Sequence, residues 1–545
     1  MGASSSTGNS SLEAHEQRGQ ESLASAALSL PLLRAAFSRS AAAANVLPDA
    51  LAPPPAAFQS AHLPPHFRDI LTRLGPAIAS ICFGDGGATG AGDEDVGWVG
   101  FLRGFNRCCA RVPASRSLVL LFRVYAAACA GAGAPCGVQF QPDEGGIGGD
   151  EEGKVVGELA PEEIAVFLWM CWVMAWSGSA PRVAGDGGEK SEPVVLLPDV
   201  THMVLSALVS AGAVADDAGV WGWEISSGGK GVKVHDFTSW VLSTAVGFGY
   251  FLSRYVQERL RSLAADPVEQ ESSVSTVNRT FDTSDVYLLT RGRAWAISLS
   301  LRNKLSEKFL SASVIGMDTD DLLYRSSVHG KGLSRFWSCV EGYNGPMLIL
   351  LSALSNGGGE NVDSDRRWVL GVLTEEGFES QGTFYGSSGF LCATHPIFRM
   401  LRPSGKEKNF IYCHVHPQIR VYEANPKPVG LAFGGTIGNE RIFLDEDFSK
   451  VVVRHHAVDK TYQHGSLIPN QGYLPVEASV LDVEVWGLGG ETTRRLQDVS
   501  KKRENIFSEQ RRKVDLKTFG NWEDSPEKMM MDMVSDPNTV RREDR

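Results

Sequence analysis

Gly430-Leu431-Ala432-Phe433-Gly434-Gly435, followed by Gly438-Asn439-Glu440 and Ile442-Phe443-Leu444-Asp445, is the stretch that decides the fold. Short apolar runs punctuated by glycine and asparagine read as strands separated by turns. The same signature recurs on both sides, at Met347 to Ala353, Trp368 to Thr374, Phe410 to Val415, Ile419 to Tyr422, Val429 to Phe433, Ile442 to Leu444, Lys450 to Arg454 and Leu481 to Val485. Short strands with Gly and Asn turns favour an antiparallel β-sandwich over a parallel sheet. Gly434, Gly435 and Gly438 then serve positive φ or a close backbone approach.

Upstream, the chain changes character. Leu23 to Ala44, His66 to Phe83, Gly97 to Arg111, Ser115 to Ala130, Pro161 to Trp176, Val200 to Ala213 and Val234 to Leu263 read as helices. The last has Phe237, Val241, Ala245, Phe248 and Leu252 at helical spacing. Glycine-rich, acidic loops at 84–95 and 141–157, and a Gly/Ser-rich one at 177–193, interrupt this half as linkers. The fold class is therefore α+β: a helical half over 22–265, a polar connector over 266–285, a β-rich unit over 286–488 and a basic helical tail over 489–545, after a flexible N-terminus at 1–21. The connector carries little apolar surface, so the β-rich unit is expected to fold alone.

A hydrophobic share of 43% over 545 residues can supply several cores at about 150 residues per domain. A net charge of −12 argues against a general nucleic-acid binder. The nine cysteines never form CxxC, which suits reduced cytosolic thiols better than disulfides or a zinc ribbon. The uncharged run Ile164 to Trp176 is shorter than the roughly 18–20 residues of a membrane span and reads as a buried helix.

Few residues assemble into chemistry. Phe384-Tyr385-Gly386-Ser387-Ser388-Gly389-Phe390 lacks the GxSxG pattern of a nucleophile elbow, and Gly434 to Gly438 has no Lys-Ser/Thr after it, so it is no P-loop. Cys413, His414 and His416 are the best metal candidates, but no third ligand follows at a supporting spacing. Cys339 and Cys392 sit in apolar surroundings and read as core. The Val232-Lys233-Val234 run before Asp236 and a helix suggests an EF-hand-like module, yet Ser226, Ser227, Gly228, Gly229 and Lys230 supply no calcium ligand set. No cofactor and no catalytic set is expected.

Leu323-Tyr324-Arg325-Ser326-Ser327-Val328-His329-Gly330 with Phe336 and Trp337, the Gly430 to Asp445 block, and Leu481-Asp482-Val483-Glu484-Val485-Trp486-Gly487 together resemble the TLDc domain of oxidation-resistance proteins and of certain lysosome- and vacuole-associated regulators. The resemblance implies two packed antiparallel sheets with helices around them, and gives Glu440, beside Gly434 and Gly435, as a family glutamate with a partner-binding or structural role. It also implies a non-enzymatic regulator that engages peripheral subunits of the vacuolar proton-pumping ATPase, with links to oxidative stress or nutrient signalling. A hydrolase or antioxidant enzyme is the alternative. Met1-Gly2-Ala3-Ser4-Ser5-Ser6 fits an N-myristoylation start at Gly2, which one branch of that family shares. The expected location is the cytoplasm, peripheral on the lysosomal or vacuolar membrane.

The tail is the basic stretch of an acidic chain. Between Arg494 and Lys517 there are nine Lys and Arg against four Asp and Glu. Leu496, Val499, Ile506, Phe507 and Val514 fall on one narrow helical stripe, flanked by Arg494, Arg495, Arg503 and Arg511. Such a helix either docks its stripe on a partner, lies on a membrane surface, or packs back as a solvated terminal helix.

Overall fold

The computed structural model describes residues 6–84, 97–141, 154–179, 193–265, 286–356, 365–415, 427–520 and 530. The helical half contains α1 (Ser6–Ser25), α2 (Leu30–Ser40), α3 (Val46–Leu51), α4 (Phe67–Ile78), α5 (Trp98–Cys109), α6 (Ala114–Ala132), α7 (Pro161–Ser179), α8 (Thr201–Ser210), α9 (Val234–Thr244) and α10 (Phe251–Ala264). Short strands accompany them: β1 (Ala57–Gln59), β2 (Val138–Gln141), β3 (Lys154–Leu159), β4 (Val194–Leu196) and β5 (Val232–Lys233).

The run expected to be a buried helix lies in α7, where every residue from Ile164 to Met174 is buried. A helix that is apolar all round has no solvent face to offer and belongs inside. By length and composition α6 is apolar enough to cross a membrane, but Leu118, Leu121, Phe122 and Tyr125 are buried in this core. β3 pairs with β5 in antiparallel fashion just before α7 and α9, so two helix–loop–helix units are joined through their loops. The acid at the start of α7 serves the backbone: Glu163 accepts from the Gly137 and Ala160 N–H groups at 2.7 and 2.8 Å.

Three expected features differ. The helix that begins the chain starts at Ser6 rather than after residue 21, and it ends at Ser25, just before α2 starts at Leu30-Pro31. Proline at the first turn suits a helix start, where its missing N–H is not needed. The long helix expected over 234–263 is broken at 245–250, where Gly247 lies against the backbone of Leu299 and Gly249 against Ala114. A Cβ at Gly247 would sit 3.1 Å from Leu299 atoms, so the tighter turn and the small residue permit that contact.

The second half begins with α11 (Arg291–Ser300) and α12 (Lys304–Ile315), where one helix over 294–310 was expected; Asn303 caps a new start by accepting from the Leu305 N–H. Then come β6 (Leu322–Arg325), α13 (Ser326–His329), α14 (Leu333–Val340), β7 (Met347–Asn356), β8 (Asp365–Thr374), β9 (Gln381–Tyr385), β10 (Gly389–His395), β11 (Arg399–Leu401), β12 (Ile411–His414), β13 (Gly430–Thr436), β14 (Asn439–Asp445), β15 (Lys450–Val453), β16 (Val476–Gly487) and α15 (Gly490–Gly520). The expected strand Ile419 to Tyr422 lies outside the described residues.

All strand pairs in this half are antiparallel, but the two layers are not separate sheets. The order β11-β10-β8-β7-β16-β15-β14-β13-β12-β9 is one hydrogen-bonded path, with β6 on the free stretch of β16. β9 and β10 stand at or near opposite ends of that path although only three residues separate them in sequence. The sheet must therefore curl until its ends meet. Its inside is filled by Tyr324, Phe336, Phe433, Phe448 and Val485.

Alternation along the central strands explains why Met347 to Ala353 is apolar without a break. Ile349 and Leu351 enter the inner core, whereas Leu348 and Leu350 join the core of the helical half, as do Val369, Leu373, Cys392 and Trp486. Both faces of β7 and β8 are buried. The β unit that was expected to fold alone thus has its outer face covered by helices in the full chain. The seam is also polar: Phe398 N–H donates to His202 O at 3.0 Å, Ser206 Oγ donates to Phe398 O at 2.6 Å, and Arg399 pairs with Asp216 at 2.7 Å.

Candidate functional site

The β13–β14 turn gathers the first group of residues singled out in the sequence. Gly434 has φ +69° and Gly435 φ +91°; a Cβ on Gly434 would meet the Tyr462 ring at 2.5 Å, and one on Gly435 the Asn439 carbonyl at 2.3 Å. Only glycine combines that conformation with that approach. Glu440 is 4% exposed. Its Oε1 accepts from the Gly438 N–H at 2.5 Å and its Oε2 meets Arg454 at 3.1 Å. The next residue, Arg441, is fully buried against Asp459 at 3.3 Å and donates to Gly465 O. Burial pulls the Arg441 pKa down, opposed by Asp459. This is a set of buried charges held in pairs, as low-dielectric surroundings demand. Glu440 and Gly434 are buried and shape the turn, and Gly435 is half-buried beside its exposed tip at 436–439.

A second polar cluster explains the Leu323-to-Gly330 block. Asp482 on β16 accepts from Ser326 Oγ at 2.5 Å and from the Ser327 N–H at 3.2 Å, so it holds the start of α13. Arg325 lies between Asp482 (3.3 Å) and Glu484 (3.5 Å). Glu484, fully buried, accepts from Leu288 N–H and Trp486 Nε1 and so ties the entry of the second half to the sheet. Burial raises its pKa, with those hydrogen bonds opposing. The serine, the acid and the nearby His329 do not form a relay: His329 Nδ1 accepts from the Arg325 backbone N–H at 2.9 Å. The thiols of Cys392 and Cys413 are buried and pushed up to about 12 by that burial. Among the described residues no three His, Cys, Asp or Glu converge as a metal set; His416 lies outside them.

The third group, unlike the first, is brought together on a surface. Among the described residues, the anchoring contacts of α15 lie in its first turns. Gln497, 3% exposed, donates to Cys339 O and Glu341 O at 2.9 and 3.0 Å, and Lys501 donates to Cys339 O at 2.9 Å. The Gly489 N–H donates to Tyr343 OH. The opposite side carries the stripe, with Leu496 65%, Val499 45%, Ile506 56% and Phe507 62% exposed. From Lys502 to Lys513 every residue is exposed, Arg503 and Arg511 included. Arg495 is an exposed residue paired with Glu491, and Arg494 is half-buried. The helix therefore packs back through a polar edge while its apolar stripe and most of its cations face water. At about 1.5 Å per residue, its 31 residues extend roughly 46 Å.

Residues 297–489 match the family model described as the TLDc domain. This segment is a TLDc domain. The matched range opens within α11, takes in the whole curled sheet and ends one residue before α15, so the exposed helix is an appendage of the TLDc domain. A comparison with the curated proteins gave no match to the chain. The buried Glu440–Arg454 and Asp482–Ser326 pairs were not legible in the sequence, because their partners lie 14 and 156 residues apart.

Proposed function

We propose that the chain is a non-enzymatic regulator or adaptor of the TLDc family, which binds peripheral subunits of the vacuolar proton-pumping ATPase at the lysosomal or vacuolar membrane and acts in oxidative-stress resistance or nutrient signalling. The observation that carries the reading is the α15 helix at the edge of the TLDc domain, with an exposed apolar stripe among cations. Exposed apolar side chains in a row cost solvation and are a docking face of the helix-in-groove kind. The surplus of Lys and Arg steers the approach to an acidic surface. The TLDc motif acids and serines described above are occupied in holding the fold, which favours binding over turnover.

Membrane attachment is assigned to a myristoyl group on Gly2, which lies outside the described residues. A single such chain binds membranes marginally, so the protein partner supplies the second hold. The test is affinity purification of the full chain from vacuolar membranes with subunits identified by mass. Recovery of peripheral ATPase subunits, lost with Gly2→Ala from the membrane fraction but not from detergent extract, supports the reading. Recovery of none, or a saturable hydrolytic or peroxidatic turnover by the purified chain, moves the assignment to another partner or to the enzyme alternative.

A further inference from the structure

The seam between the helical half and the TLDc domain encloses a cavity of about 950 Å³. Small-molecule sites fall in the range of roughly 300–1,000 Å³ and favour such boundaries. The helical half supplies β4, the start of α8 and the turns at 218–227, and the second half supplies the start of α11, the end of α12 and the His395–Pro396 corner.

The charged groups on these walls are committed to the protein itself. Arg291 donates to the carbonyls of Ser313, Leu196 and Val314 at 3.0, 3.0 and 2.8 Å and lies over the Trp172 ring. Arg293 donates to Leu288 O at 2.6 Å, and both arginines have further protein contacts. Asp199 accepts from the Thr201 N–H at 2.9 Å. His202 and His395 are neutral at pH 7, because burial pushes each down to about 4. A charged ligand would give up its water here and find the matching groups already engaged.

Flat apolar surface and two unmet nitrogens remain. Trp221, Trp223 and Tyr287 are half-buried on the lining and offer rigid aromatic area at small entropic cost. His202 is 5% exposed, and among the described residues its Nε2 has no hydrogen-bond partner; the buried Trp221 Nε1 has none either. Buried nitrogens are nearly always paired in folded proteins, so two unpaired ones on the residues of one cavity point to a group that is bound there. The indole N–H can only donate, and a neutral imidazole nitrogen carries either a lone pair or a proton. A hydroxyl suits both, since it accepts and donates; a hydrocarbon suits neither.

We propose that this cavity binds a neutral, flat fused-ring alcohol or phenol, with its rings among Trp221, Trp223 and Tyr287 and its hydroxyl on the side of the Trp221 and His202 nitrogens. Bound there, it contacts both halves at once, and its occupancy strengthens the seam between them.

The probe is 2-naphthol, uncharged at pH 7, in equilibrium dialysis against the full chain. Naphthalene presents the same rings without oxygen, and 2-naphthoate the same rings with a charge. One 2-naphthol site per chain is expected, with both comparison compounds at least tenfold weaker. Trp221→Phe keeps a flat ring and removes the indole N–H, and His202→Phe removes the imidazole; in each, the preference for 2-naphthol over naphthalene is expected to fall at least threefold. Ala61→Trp, at an exposed position on the cavity rim, is expected to weaken 2-naphthol at least tenfold while melting at the wild-type temperature. Bound 2-naphthol should raise the melting temperature of the wild type and leave that of Ala61→Trp unchanged. Naphthalene or 2-naphthoate binding as tightly as 2-naphthol overturns the proposal. So does the lack of a saturable site, a preference unchanged in both Trp221→Phe and His202→Phe, or an unchanged affinity in Ala61→Trp.

Discussion

The Glu440 carboxylate sits between the Gly438 amide and the Arg454 guanidinium, with its side chain 6% exposed. Glu440→Gln keeps the shape and removes the charge, so the pair with Arg454 loses its ionic character and Arg454 is left partly buried without compensation. A hydrogen bond to a charged group is worth about 1.5–3 kcal/mol, and denaturant unfolding should show a loss of that order. No chemical step should change, which separates this role from a catalytic one. Acid sensitivity follows from His202 and His395. Their folded pKa lies near 4, below the ordinary 6.5, with burial as the main cause. The stability they contribute is therefore complete above about pH 6.5 and lost as pH falls toward 4, up to roughly 3 kcal/mol for His202. Glu484, raised by burial above 4.5, works in the other direction: its contribution is full below 4.5 and is lost as pH rises through its folded pKa. Urea unfolding at pH 7 and pH 4.5 should show His202→Gln recovering at least about 1 kcal/mol of the acid-side loss seen in the wild type. At this scale the sequence announced the glycines by type and spacing, and Glu440 through its resemblance to the TLDc motif. It could not announce burial, because Arg454, Tyr462 and His456 close on the turn from later in the chain.

Elements were more legible where pattern and environment agree. The apolar run in α7, the central strands β7 and β8, and the amphipathic tail α15 all stand where period and composition put them. Breaks inside long helical patterns were less so. The pattern over 234–263 continues across 245–250, and only the approach of Leu299 and Ala114 to Gly247 and Gly249 shows why the chain bends there. The outer-face role of Leu348 and Leu350 was hidden for a related reason: a strand buried on both faces carries no alternation from which its two neighbours can be read. α15 yields a clean test at this scale. Leu496→Glu and Phe507→Glu change exposed side chains on the stripe, so stability should move by no more than about 0.5 kcal/mol. Partner binding should fall in both variants. The anchoring edge behaves oppositely: Gln497→Leu removes two hydrogen bonds to the 339–341 turn and should loosen the helix, seen as faster amide exchange over residues 491–501.

For the whole molecule, the polar composition of 266–285 suggested two bodies on a tether, but a shared core joins the described parts on either side of it. Leu348, Leu350, Val369, Leu373, Cys392 and Trp486 of the TLDc domain pack in the core of the helical half. A polar connector reports only on itself; whether its flanks pack together is decided by the faces of distant strands. A segment from Thr283 to Leu488 should therefore expose that outer face and associate or precipitate, while the full chain unfolds in one cooperative transition. A soluble, monomeric segment with a native-like melting transition would show that the seam is an accessory contact. The same seam leaves α15 on the far side of the 339–343 turn, free of the helical half among the described contacts, and so available to a partner. Its function is most directly tested by measuring how the full chain and a chain ending at Gly490 bind the purified peripheral sector of the vacuolar ATPase across a salt series. The account expects binding by the full chain that weakens with added salt and is at least tenfold weaker without the helix, at unchanged TLDc melting. Equal binding by the two chains, or none by either, would contradict it.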